Sequence, residues 1–391
     1  MATRKILTRD FILCFSAQFT FTSVFHILIP TLPIYLSRLG STEAEIGVLI
    51  GSLFVSSLIL RPFVGRGLVR IPERHFMIAG SLIFALASVA YIFAPPFWPF
   101  LFVRFFQGIG IALFYTASST FIANISPEAH RGQSLSYFYL AFNISFALAP
   151  AFGMFFINAF SFNLLFLVCL GISLGSLFLT TRLRKRQIEP AADSSRQDEP
   201  FFSRETIPPA IMAFLAHVVW GALTAFFPLY SIQNGVANPG FFFAAYAIVL
   251  ILGRALGARI LDLYNREKII LPCLTTYIIS MMVLAYSKSL SMFILVAVIW
   301  GSGNAFLMPT LVAYALDRAV SSPGTVMGTY TAIGDLGVAL GPIIMGIILR
   351  FTSYPTMFLC LALVGVANLS YFYFFVRKGK AKDRNSFSAR S

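Results

Sequence analysis

Charge is what this 391-residue sequence has least of. Only 11% of its residues are Asp, Glu, Lys or Arg, against 58% hydrophobic, and the mean hydropathy is +0.81. Soluble domains are about a quarter charged, so a fold surrounded by water would lack the polar surface to cover itself. The bilayer is the expected solvent. Acids are scarcer than bases, 15 against 29, for a net charge of +14. A nucleic-acid partner would need that excess gathered into a patch on a soluble fold. Here it is divided among short loops between apolar runs, so no nucleic-acid partner is expected. Cysteine is scarce as well. Cys14, Cys169, Cys273 and Cys360 stand singly inside apolar segments, which argues against a metal site or a disulfide framework and for small apolar packing. There is no Walker loop. Gly108-Ile-Gly110 lacks the strand–turn–helix setting of a dinucleotide site. No Ser/His/Asp or metal-ligand grouping has usable spacing. Neither an enzyme nor a cofactor is expected.

The long apolar runs predict an all-α membrane protein. A helix needs about 20 apolar residues to cross the hydrocarbon layer, and twelve such runs occur, near 11–36, 45–66, 75–94, 98–122, 134–158, 162–181, 208–231, 241–262, 268–287, 290–315, 326–350 and 354–376. The runs do not alternate apolar with polar, which sets aside a barrel. The first has no small-residue cleavage site after it and is too long for a signal-peptide core, so it is read as a retained span. With the N-terminus placed in the cytoplasm, inner loops and tails hold 22 of the 29 bases and outer loops only Arg38, Lys288 and Arg350. By the positive-inside rule both termini are cytoplasmic, in the cell (inner, cytoplasmic) membrane. The polar stretch 182–207 reads as a cytoplasmic linker between an N-terminal bundle, 1–181, and a C-terminal bundle, 208–376. A basic cytoplasmic tail, 377–391, follows.

The two bundles repeat one another. Arg61 and Arg66 recur as Arg254 and Arg259, 193 residues on. Leu32-Pro-Ile-Tyr35 recurs as Phe227-Pro-Leu-Tyr230, Gln107-Gly-Ile-Gly110 as Trp300-Gly-Ser-Gly303, and Ala149-Pro150 as Gly341-Pro342. Two six-span halves of one orientation imply a pseudo-twofold axis along the membrane normal, with a ligand site between them near the midplane. One chain holds the whole pathway, and a monomer is the default.

These features resemble the major facilitator superfamily of transporters over all twelve spans. Its loop signature between spans 2 and 3, roughly G-x-x-x-D-R-x-G-R-R, is matched here by Gly65, Arg70 and Arg74, with Val69, Pro72 and Glu73 as departures. The second copy keeps the acid as Asp262, followed by Arg266. In the superfamily this loop braces the cytoplasmic gate. The resemblance therefore implies gate roles for Gly65, Arg66, Arg70, Arg74, Asp262 and Arg266, with the second copy the stronger brace. Arg104-Phe-Phe-Gln-Gly108 resembles the span-4 signature, whose Arg is associated with proton coupling in many members. The antiporter signature is matched weakly in span 5, around Pro150, and better in span 11, at Gly337-Val-Ala-Leu-Gly341-Pro342-Ile-Ile-Met-Gly346. Among subfamilies the pattern is most similar to multidrug-efflux-like drug:proton antiporters.

Few polar residues stand inside the spans, and each costs insertion energy unless it faces protein or water. Asp335 is the only carboxylate well inside a span, about 15 Å along span 11. It reads as a proton carrier or as a packing acid between Gly334 and Gly337. Arg104 lies about 9 Å along span 4 and would attract an anionic group, bias a nearby acid, or extend toward the outer headgroups. His26 and His217 are proton relays, substrate contacts or hydrogen-bonded packing residues, since imidazole titrates near neutral pH. Gln18, Gln107, Asn143 and Asn304 are uncharged candidates for substrate contacts or interhelical hydrogen bonds. The 43 Phe and 15 Tyr suit an aromatic cavity wall. No carboxylate lies in spans 1 or 4, which disfavours a permanently cationic substrate. The function expected is secondary active transport of a small amphiphilic organic molecule by alternating access, as proton-coupled efflux. Import of a sugar or organic acid, or a non-transporting receptor or scaffold of this fold, are the alternatives.

Overall fold

The computed structural model describes residues 7–127, 130–184, 203–318 and 323–377; side chains at 132, 257–263 and 323–324 are outside the described set. Most of the expected linker, the basic tail beyond Arg377, and the Asp262 side chain therefore lie outside the described residues. Every regular element among the described residues is helical. In chain order they are α1 (Arg9–Arg38), α2 (Glu43–Gly67), α3 (Glu73–Phe93), α4 (Trp98–Ile125), α5 (Arg131–Ala159), α6 (Phe162–Thr181), α7 (Ile207–Gln233), α8 (Gly240–Leu263), α9 (Arg266–Tyr286), α10 (Leu290–Arg318), α11 (Pro323–Phe351) and α12 (Tyr354–Tyr371). A single 3₁₀ turn, Arg204–Thr206, leads into α7, and α12 continues as a π turn over Phe372–Val376.

These are the expected twelve. Eleven are long and apolar enough to cross a membrane, and α8 is apolar over Gly240–Leu256. In lipid the backbone must satisfy itself, which is why sequences carrying internal prolines (Pro33 and Pro150, and their counterparts Pro228 and Pro342) remain helical. Several helices outrun the expected apolar runs by a turn, as α10 does in reaching Arg318. Polar residues at the ends close the helix rather than span the membrane. At the start of α2, Thr42 Oγ1 accepts from the Glu45 amide at 3.4 Å, and the Thr42 amide donates back to Glu45 Oε2 at 2.7 Å, a capping box.

The chain groups into two compact units, Met1–Ser194 with Thr224–Ala244, and Ser195–Leu223 with Ala245–Ser391. Within the first, α4 packs on α2 and α3, α1 on α5 and α6, and α3 on α6. Within the second, α9 packs on α10 and α12. The repeat is visible in the atoms that touch. A methyl group on Gly108 would strike the Leu53 carbonyl and Ser56 of α2; one on Gly301 would meet the Tyr246 carbonyl and Val249 of α8. Gly110 lies against Gly80 and Ile83 of α3, and Gly303 against Cys273 and Thr276 of α9. In all four cases the partners, like the glycines, are 193 residues apart. Between these contacts the cores are aromatic. Phe21 stacks on Phe114 with centroids 3.9 Å apart, and Trp300 on Trp220 at 5.4 Å.

Candidate functional site

In the first unit, α1, α4 and α5 bring polar groups into an otherwise apolar interior. His26 is fully buried on α1, with the rings of Phe142 and Phe146 set edge-on at 4.6 and 5.0 Å and Phe25 at 5.3 Å. Its Nδ1 is 2.8 Å from Ser145 Oγ, and its Nε2 has no hydrogen-bond partner. Two turns earlier on α1, Gln18 Oε1 accepts from Ser118 Oγ at 3.1 Å, leaving Gln18 Nε2 buried and unmated. One turn from Ser118 on α4, the Tyr115 hydroxyl is likewise buried without a partner. The Tyr115 ring meets Phe21 and Phe142 edge-on, at 5.9 and 6.2 Å. Asn143 lies half-buried on α5. The structure thus gathers Gln18 and His26 into one polar and aromatic cluster. It adds Tyr115, Ser118 and Ser145, which no sequence signal singled out.

Arg104 and Gln107 form a separate knot. Arg104 is 4% exposed and turned into the protein, not out toward headgroups. Its Nε donates to the Leu49 carbonyl at 2.9 Å, Nη2 to the Ile50 carbonyl at 3.2 Å, and Nη1 to Gln107 Oε1 at 2.8 Å. Tyr91 also donates to Gln107 Oε1. The guanidinium is therefore dissolved in carbonyl oxygens of α2, with no carboxylate in contact among the described residues. Each helix carbonyl keeps a second lone pair for such a bond.

In the second unit, His217 of α7 and Asp335 of α11 are brought together. The Asp335 carboxylate acts electrostatically on the imidazole, which rests against the Gly334 backbone. A side chain at Gly334 would collide with that ring, its Cβ falling 2.8 Å from Nδ1. This explains why a glycine precedes the acid. Asn304 of α10 sits apart, accepting from Tyr277 Oη at 2.8 Å and donating to Tyr246 Oη.

At the α2–α3 loop, Gly65, Arg66 and Arg70 are exposed, and Arg74 Nη2 donates to the Thr181 carbonyl at the end of α6, at 2.5 Å. Next to it Glu73, 3% exposed, accepts from Asn124 Nδ2 at 2.6 Å. The second copy places Arg266 on Asp317, with Nε 2.5 Å from Oδ2. Glu73 and Asn124 correspond, 193 residues on, to Arg266 and Asp317. The two copies tie equivalent points of equivalent helices with different chemistry: an acid and an amide in one, a base and an acid in the other. Asn124 and Asp317 escaped notice in the sequence, although the repeat offset points to both. Among the described residues no group of three His, Cys, Asp or Glu side chains could hold a metal ion.

Twelve apolar helices built on a repeated packing scheme, with isolated titratable groups inside the spans, define a multi-pass membrane protein, and its family makes it a transporter of small molecules. The chain belongs to the Major Facilitator Superfamily, whose family description matches it over residues 14–319 and 210–390. It is 26% identical to the staphylopine export protein of Staphylococcus aureus strain Mu50 (87% of this chain and 89% of that one). It is 25% identical to multidrug resistance protein 2 of Bacillus subtilis strain 168, covering 85% and 87%. Among solved structures, the fold is similar to that of the nucleoside transporter NupG, with a TM-score of 0.77 at 13% identity over 94% of this chain and 100% of that one. It is also similar to the human organic anion transporter MFSD10, with a TM-score of 0.68 at 18% identity over 93% and 98%.

Proposed function

We propose that this secondary transporter exports a small amphiphilic organic molecule by alternating access, driven by protons moving inward, with both termini in the cytoplasm. The observation that carries the coupling scheme is the juxtaposition of His217 and Asp335 on two membrane-spanning helices. The imidazole rests on the residue that precedes the acid, close enough for the two charges to interact, so a proton taken up at either group from one side is released to the other by a change of access, not by a long relay. A proton entering down a membrane potential contributes about 2.3 kcal/mol per 100 mV, enough to concentrate a substrate against its gradient. The direction is supported by the relatives named for export and for drug resistance. Arg104 and Gln107 fix α4 to α2 and hold that frame in register. The Arg74 and Arg266 contacts brace the loop ends.

Purified protein in liposomes, assayed for uptake of a candidate substrate with and without an imposed pH gradient, tests the scheme. The expected outcome is gradient-driven uptake that Asp335→Asn abolishes, with counterflow exchange retained because binding and conformational exchange survive. Wild-type flux indifferent to the gradient would refute it.

A further inference from the structure

The Gln18–Tyr115–His26 cluster carries an imbalance of hydrogen-bonding character. The proton on His26 can be placed. Ser145 Oγ has no bond other than the one to Nδ1 among the described residues, whereas buried hydroxyls such as Thr22, Ser56 and Ser88 donate back to carbonyls of their own helices. The Ser145 hydrogen therefore points at Nδ1, which accepts it, and the imidazole proton sits on Nε2. The unmated groups of the cluster then all offer a donor, Gln18 Nε2, Tyr115 Oη and His26 Nε2, and only the Tyr115 oxygen can also accept. Each is destabilising if left unsatisfied in an apolar interior. They lie along about 12 Å of α1 and the facing turn of α4, interleaved with Phe21, Phe25, Phe142 and Phe146. Within the first unit every Asp and Glu of the described helices sits at a helix end, so no acid competes for these donors.

We infer that this cluster is the substrate-recognition site and that it selects an aromatic or otherwise flat amphiphile bearing a carboxylate or carbonyl group, not an organic cation. The inference rests on the transport reading above and names the chemistry of its substrate. A carboxylate or carbonyl group of the ligand takes the donors within its reach, and the ligand's apolar body lies on the phenylalanine edges. A cation would meet two obligate donors and a single neutral phenol oxygen where it needs acceptors.

The test is equilibrium binding to the purified full chain in nanodiscs, with naphthoate and naphthylmethylammonium as probes matched in shape and opposite in charge. Naphthoate is expected to bind and the ammonium probe to bind at least ten-fold more weakly. Tyr115→Phe keeps the ring contacts and removes one donor. It should weaken naphthoate about ten-fold, the order of a hydrogen bond to a charged group, while leaving the unliganded melting temperature unchanged or higher, because an unsatisfied buried group has gone. His26→Phe should weaken naphthoate likewise, although by stranding the buried Ser145 hydroxyl it lowers the melting temperature. A preference for the ammonium probe, or naphthoate binding unaltered in both variants, overturns the inference. Liposome flux separates this from the transport reading. Naphthoate binding that the variants weaken, without gradient-driven flux, leaves the site standing and sinks the coupling scheme. Gradient-driven flux of the ammonium probe alone does the reverse.

Discussion

Gly108 has no room for a methyl group, because the obstacle is the Leu53 carbonyl, part of a helix backbone that cannot rotate aside. Gly108→Ala is therefore expected to lower stability by about 1–3 kcal/mol, the usual range for overpacking, read as a lower melting temperature in detergent. Gly171→Ala is the control: nothing lies within 4 Å of its Cβ position, and alanine gains up to about 1 kcal/mol of helix propensity, so the variant should melt at the same temperature or higher. Residues of this kind were only partly legible in the sequence. His26, Gln18 and Asp335 stood out because an apolar span makes any polar residue conspicuous. Tyr115 and Ser145 did not, because tyrosine and serine are routine in such helices. The companionship of His217 and Asp335 was hidden for another reason: α7 and α11 lie far apart in the chain, and no spacing rule joins them.

Between elements, burial decides what the loop-end ties contribute. The Arg266 and Asp317 side chains are 33% and 52% exposed, and a pair so open to solvent contributes about 0.2–1 kcal/mol and is screened by salt. Glu73 is buried, and its bond from Asn124 is a hydrogen bond to a charged group, of the order of 1.5–3 kcal/mol. Double-mutant cycles on unfolding in mixed micelles should thus give the Glu73/Asn124 pair the larger coupling, little altered by salt. The Arg266/Asp317 coupling should shrink as salt is raised. The opposite ranking would mean that charge, not burial, governs these ties. The expectation that the second loop is the stronger brace came from the acid at Asp262. The Asp262 side chain lies outside the described residues, and among those described Glu73, one of the departures from the signature, is the buried member. Helix number and type were legible because lipid admits little else. The π turn at Phe372–Val376 was not, since its side chains suit an α-helix equally well.

For the whole molecule, the charge asymmetry predicts that reporter fusions after Ser391 and within the 182–207 stretch read as cytoplasmic, while fusions after Arg38 or Arg350 read as external; the reverse pattern would overturn the orientation. The architecture was legible because the repeat fixes it twice over, and each half checks the other. What the offset of 193 could not convey is which of its matched positions carry contacts. Gly108 and Gly301 do, and their partners on α2 and α8 match as well. The glycine contacts are common to both halves, whereas the polar layer differs between them. Arg104 and Gln107 correspond in the repeat to Ala297 and Trp300, and Glu73 with Asn124 to Arg266 with Asp317. One scaffold of glycine contacts thus carries two different polar layers, and each layer ties its own half together, through Arg104 and Gln107 or Glu73 and Asn124 in one and through Arg266 and Asp317 in the other.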